Sequence, residues 1–466
     1  MIQHLTGCRF LLSLWIVCNH FVPKEPETAL NHVVSRSNVA VSTFVCMSGF
    51  ITHWAYGERE LSSKWKVLHF FVKRIGRVAF TTWTAMVAAI VVMAITGNTS
   101  GDVYDVGHVC RCFTFVETWL HPRIWCPNGQ TWTVAALIPS WLMYPWSRRI
   151  IAAVQRRAAG PGLLMLAVGA WALEFGAIFA TYVAQGFWLS LDQHYLTYTW
   201  PPSQLLDFFI GATVAALAKH HSKAALAAAA EGGAGGTAGD SHELRARSLS
   251  ALFTDGGAAA IVLICCAVPN DGEYRTGAEV LYNHGVIPFI ACFLYGGPLS
   301  TPPPVDMPRL PRRSLVAQLL RQPALVGLGT YSFQVFLFQW PVHTAVTAAY
   351  GTTEAAEVFV AFCLCLWISA GLFAEFAEQP FVTWLHRRTA DWTTRGHSRD
   401  GRQNGVIDVV IASPAQLTAT TELTTTGTAT PTATSPLLTK AVNQQPKRSP
   451  LAAAASHSMT GARRYT

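Results

Sequence analysis

Charge is what this sequence lacks. Of its 466 residues only 13% are Asp, Glu, Lys or Arg, while 51% are hydrophobic. A soluble domain carries about 25% charged residues, so the deficit argues against a soluble globular protein and for a polytopic membrane protein. No basic stretch leads into the first apolar run, so no cleavable signal peptide is expected. No internal repeat is visible, which speaks against transporter folds built from paired repeats. A full set of metal ligands is also missing: of the 11 cysteines, eight lie in apolar runs as small filler, and Cys110, Cys112 and Cys126 share one loop without companions.

What is present is a series of apolar runs near 5–22, 37–56, 78–97, 131–146, 162–184, 203–219, 256–269, 280–296, 324–343 and 355–376. About 20 such residues cross a bilayer as a helix, so the expectation is an all-α transmembrane bundle of about ten spans. The 16 tryptophans suit membrane interfaces. With both termini cytoplasmic, the inside loops hold 18 Lys or Arg and the outside loops 5, a positive-inside bias. That bias accounts for the net charge of +8 without nucleic acid as a partner. Three cysteines in one outside loop would leave a thiol over if two of them pair. Asn98-Thr99-Ser100 is an acceptor sequon on the same loop, close to the membrane.

The membrane domain is expected over 1–385. Within it, 221–247 is Ala/Gly-rich and reads as a flexible cytoplasmic loop. Residues 386–466 form a Thr-rich tail too poor in apolar surface to order itself.

Ionisable residues inside spans are costly and usually face a bundle interior or a water-filled cavity. Here they are Arg9, His20, Glu174, Asp207, His284 and Glu375. Arg9 and His20 are eleven residues apart, close to three turns, so they share one face about 16 Å apart. The plain alternatives are an interfacial His20 and an Arg9 snorkelling to the cytoplasmic edge. In "LHFFVKRIGRVAF", Lys73, Arg74 and Arg77 precede the third span. Arg74 and Arg77 are at i, i+3, and paired guanidinium groups suit phosphate. The plain alternative is contact with anionic lipid.

Taken together, these stretches resemble the acyltransferase-3 family of multipass membrane acyltransferases. "LTGCRFLLSLWIVCNHF" is similar to its opening helix, with Arg followed by His. "NVAVSTFVCMSGFI" is similar to its second helix, which places Ser48, and "FVKRIGRVAF" matches its Arg-x-x-Arg element. "PPSQLLDFFIGATVAAL" supplies Asp207 and Gly211 in the acid and glycine places. "LGTYSFQVFLFQWPV" and "FAEQPFVTWLHRR" are similar to its closing elements. "TWTVAALIPSWLMYPW" keeps Trp132 and Tyr144-Pro145 at the family spacing, but Leu137 stands where a Glu is often found. Gln339 likewise stands where a second His is frequent.

The resemblance implies transfer of an acyl group, most often acetyl, from coenzyme A to a hydroxyl of a carbohydrate or related acceptor, such as a lipid or small molecule. A hydroxyl needs a general base to attack a thioester, and His suits that role near neutral pH, which points to His20. Arg74, Arg77 and Lys73 would take the donor phosphates. Arg9 would serve either the donor or a tetrahedral oxyanion. Ser48, Trp132 and Asp207 are substrate or structural candidates. A transporter or flippase for a polar solute, with Arg9 and His20 lining its path, fits the spans equally well. A catalytically degenerate relative is favoured by the missing Glu alone.

Overall fold

The computed structural model describes residues 2–22, 29–59, 61, 63–97, 105–120, 126–187, 189–231, 237–267, 280, 282–299, 314–352 and 355–395. The sequon at 98–100 and the tail beyond 395 lie outside them. The described residues are helical, with no strand among them. In chain order the helices are α1 (Gln3–Phe21), α2 (Ala29–Val34), α3 (Asn38–Tyr56), α4 (Lys64–Thr96), α5 (Val106–Phe113), α6 (Glu117–Leu120), α7 (Trp132–Ala184) and α8 (Leu191–Tyr198). They continue with α9 (Pro201–Glu231), α10 (Thr237–Ala267), α11 (Ile287–Leu299), α12 (Leu315–Leu320), α13 (Pro323–Gly329), α14 (Ser332–Tyr350), α15 (Ala356–Phe373) and α16 (Gln379–Arg395).

The ten apolar runs fall on or along these helices. Five stretches are long and apolar enough to cross a membrane: Asn38–Tyr56, Lys64–Thr96, Gly129–Ala184, Ser248–Ala267 and Ala356–Ala390. Helices α1 and α14, of 19 residues each, are long enough at 1.5 Å per residue. Their His, Arg and Gln side chains make them less apolar.

Three expectations change. The segment 147–161 is not a loop, because α7 runs through it and breaks only at Ala159, where φ is 48° and ψ is −137°. The runs 131–146 and 162–184 are thus two arms of one bent element. The stretch 221–247 is helical through Glu231 and again from Thr237. Alanine is the strongest helix former, so the Ala run prolongs α9. Finally, α16 carries the helix to Arg395, past the boundary expected at 385.

Small residues set one of the close helix pairs. A Cβ on Gly49 would overlap the Phe208 carbonyl, and a Cβ on Gly211 would overlap the Cys46 carbonyl. Helices α3 and α9 therefore touch backbone to backbone, as small residues permit in membrane bundles. This is a physical reason for glycine at position 211, four residues after Asp207.

Helices α1 and α14 run side by side in the same direction. Ser13 Oγ donates to the Ser332 carbonyl at 3.2 Å, and His20 meets Gln339, both 319 residues away. One constant offset across two turns defines a parallel register, and it brings the first helix beside a near-final one.

Candidate active site

His20 is exposed at the C-terminal end of α1. Its Nδ1 lies 3.2 Å from Gln339 Oε1. Gln339 Nε2 donates to the Phe336 carbonyl at 2.8 Å, so its amide oxygen is the end turned to the imidazole. A proton on His20 Nδ1 suits this shorter contact and puts the lone pair on Nε2, while the opposite tautomer suits a donor at Nδ1. Gln130 Nε2 approaches the same Nδ1 at 3.4 Å, a longer and weaker contact.

The segment bearing Gln130 is fixed by its own network. Asn128 Nδ2 donates to the Leu337 carbonyl at 2.7 Å, and Asn128 Oδ1 accepts from the Gln130 backbone N–H at 3.3 Å. A disulfide joins Cys112 to Cys126, leaving Cys110 as an exposed thiol. The odd cysteine count of this loop is thereby explained, and α5 is stapled to the approach to Asn128. Beneath this cap sits Glu117, fully buried. Burial pushes its carboxyl up to about 7, with Thr131 as its polar neighbour.

Toward the other end of α1 lies a cation cluster. Glu378 is buried and accepts three donors: Arg77 Nε at 2.5 Å, Thr81 Oγ1 at 2.7 Å and Gln334 Nε2 at 2.7 Å. It closes a π-helical turn, Ala374–Glu378, between α15 and α16, a departure from regular helix that is frequent at functional sites. Arg77 spends its Nε on this carboxylate while its side chain stays 51% exposed. Arg74 Nη2 donates to Thr52 Oγ1 at 2.7 Å, and its guanidinium lies 5.6 Å over the Trp141 ring. Trp141 Nε1 in turn donates to Ser48 Oγ at 3.2 Å. Arg9 is within electrostatic reach of Arg77, Arg74 and Glu378. Arg77 alone pairs with the carboxylate, while Arg74 and Arg9 stand near Arg77, so positive charge is in excess.

Five residues of α14 separate Gln334, at Glu378, from Gln339, at His20, an axial step of about 7.5 Å. The base and the cation cluster are therefore closer than the Arg9–His20 spacing on α1 suggests.

The remaining candidates lie elsewhere. Lys73 lies within electrostatic reach of His386 of α16. The Trp132 ring is 4.9 Å from that of Tyr198 and packs against the core. Asp207 is fully buried against Glu174 and His284, and Glu174 Oε1 pairs with His284 Nδ1 at 2.7 Å. Leu137 packs against the apolar cluster of Trp141, Tyr144 and Phe208, so no carboxylate stands at that point. Sequence reasoning missed Asn128, Gln130, Thr81 and Gln334. Uncharged amides inside or beside apolar runs were the available signal, because such groups seek partners as surely as charges do.

The acyltransferase-3 family model, described as an acyltransferase domain, matches residues 2–374. The acyltransferase MdmB of Streptomyces mycarofaciens is 25% identical over 231 residues, 46% of this chain and 57% of that protein. The chain thus spans a little over half the length of this relative. No solved structure matches. A match reaching from α1 to the π-helical turn takes in His20, the arginines and nearly all of the helices that position them, and by it the chain belongs to the acyltransferase-3 family.

Proposed function

We propose that the protein is an integral-membrane O-acyltransferase that moves an acyl group, acetyl as the simplest case, from coenzyme A to a hydroxyl of a carbohydrate or related acceptor. The chain would cross the membrane about ten times with both termini cytoplasmic. The observation that carries the reading is His20, exposed and met at Nδ1 by Gln339 Oε1, on the helix whose other end nears an electropositive cluster.

In this mechanism the acceptor hydroxyl gives its proton to His20 Nε2 as its oxygen attacks the thioester carbonyl. The tetrahedral oxyanion collapses, the C–S bond breaks, and the leaving thiolate takes the proton from the imidazolium. Atoms and protons balance, and His20 is returned neutral. Gln339 makes this cycle easier by accepting from Nδ1–H in both protonation states, which is the orienting role a general base needs. Arg74 and Arg77 would hold donor phosphates through their guanidinium forks, with Glu378 aiming Arg77. Arg9 sits with those arginines, so the donor role suits it better than the oxyanion role. Ser48 would act through Trp141, on which Arg74 rests. Lys73, facing α16, would add only long-range attraction.

The test is transfer of labelled acetyl from acetyl-coenzyme A by the purified protein to a panel of glycan, lipid and small-molecule hydroxyls. His20→Ala should lower turnover by about 10²–10⁴-fold, the usual contribution of a general base, while the protein still inserts in the membrane. Full turnover in that variant would falsify the role given to His20.

A further inference from the structure

A cavity of about 600 Å³ opens beside the N-terminal turns of α4, lined by Leu61, Lys64, Val67, Leu68, Phe71 and Arg149 together with Trp65. Its volume falls in the range of small-ligand sites. Its walls are almost wholly apolar, yet Lys64 and Arg149 stand at it as exposed cations. An apolar pocket with two positive charges fits an amphipathic anion, with the chain inside and the charge at the rim.

The surroundings say which amphiphile. On α7, Leu142, Trp146 and Ile150 are spaced by four residues and form one exposed stripe, with Trp146 54% and Ile150 51% exposed. Arg149 follows Trp146 by three residues and so borders that stripe. On α4, Leu68 belongs to the cavity and is itself 39% exposed. The pocket therefore continues directly into an apolar surface of the kind a spanning helix turns to lipid. Lys66 on α4, Arg148, Arg156 and Arg157 on the first arm of α7, and Arg59 in the turn before α4 add positive charge along these segments, so anions are attracted from a distance.

We propose that this cavity is a binding site for an anionic phospholipid, whose acyl chain lies on Leu61, Val67, Leu68 and Phe71 and whose phosphate is held between Lys64 and Arg149. The lipid would wedge α4 to the first arm of α7, the two helices that present Arg74 and Trp141. The site does not depend on the acyl-transfer reading and is separate from the Arg74–Arg77 cluster.

The experiment measures thermal unfolding of the full chain in detergent with added phosphatidylglycerol, phosphatidylcholine or coenzyme A. Phosphatidylglycerol should raise Tm by about 3 °C or more, and phosphatidylcholine should raise it little. In Lys64→Ala/Arg149→Ala the concentration of phosphatidylglycerol needed should increase about fivefold per cation removed, and Lys64→Arg/Arg149→Lys should restore it. Equal protection by both lipids, or an unshifted requirement in the alanine pair, overturns the proposal. So does protection by coenzyme A that the alanine pair loses, since the pocket would then belong to the donor. A second measurement needs no variant. Lipid retained by the wild-type protein through extensive detergent washing should be enriched in anionic species over the membrane of origin, and a bulk composition would overturn the site.

Discussion

Two buried polar clusters lie in the bundle, and they are built on opposite plans. Around Glu378, one carboxylate pairs with Arg77, Arg74 and Arg9 stand close to Arg77, and Arg77 remains half exposed. Around Glu174, a second carboxyl from Asp207 and one imidazole from His284 are sealed, each 3% exposed or less. The first has a surplus of donors and an opening, so an anion can complete it. The second sets two carboxyls against one imidazole, joining α7, α9 and the turn before α11, and its one close pair is Glu174–His284, with Glu174 Oε2 and both Asp207 oxygens left without a hydrogen bond. Ionisable groups inside an apolar bundle usually find partners or face a cavity, and of these two clusters the first is the one that opens to the surface.

That contrast can be broken by removing one member from each cluster. The largest effect belongs to His284→Ala, which strands Glu174 and Asp207. Loss of one partner of a buried pair costs about 3–5 kcal/mol, so yield and Tm should fall sharply while any surviving protein keeps its donor KM. A stable variant with a raised KM would show that the sealed cluster serves the substrate after all.

Next in size is Glu117, a fully buried carboxyl. Its native state keeps a proton up to about pH 7, whereas an ordinary Glu releases it near 4.3. The native protein therefore binds more protons than the unfolded chain between about pH 4.5 and 7, and stability declines as pH rises through that window. Glu117→Gln should melt higher than the parent at pH 8, by up to about 3 kcal/mol, with the gap closing at pH 4.5. A gap that does not change with pH would mean that Glu117 keeps its ordinary titration. The smallest effect expected is that of Arg77→Ala, a rise of about tenfold in the KM for acyl-coenzyme A, the worth of a charged hydrogen bond. An unchanged KM would remove Arg77 from the donor site.

Much of this could be read from the chain, and the rest was hidden for one common reason. The shared face of Arg9 and His20 follows from helical spacing alone, because α1 is regular from Gln3 to Phe21. The partners of His20 do not follow from it. Gln130 is 110 residues away and Gln339 is 319 residues away, and only the packing of α1 beside α14 brings them in. Glu378 is visible inside "FAEQPF", but its link to Arg77 spans 301 residues. Asp207 resembles a family position, yet its partners come from α7 and the turn before α11. The Ala-rich segment after α9 misled in the other direction, because its low complexity suggested a loop while its propensity favoured helix.

The π-helical turn at 374–378 ties the site to chain length as well as to composition. A π turn holds one residue more than the α turn it replaces. Deleting a single residue there would let α15 run on as a regular helix, because four α residues turn through about the angle that the five of the π turn cover. Glu378 and α16 would keep their facing, and Arg77 its carboxylate. A one-codon change of length, disruptive in any regular stretch of helix, is therefore best absorbed at this turn.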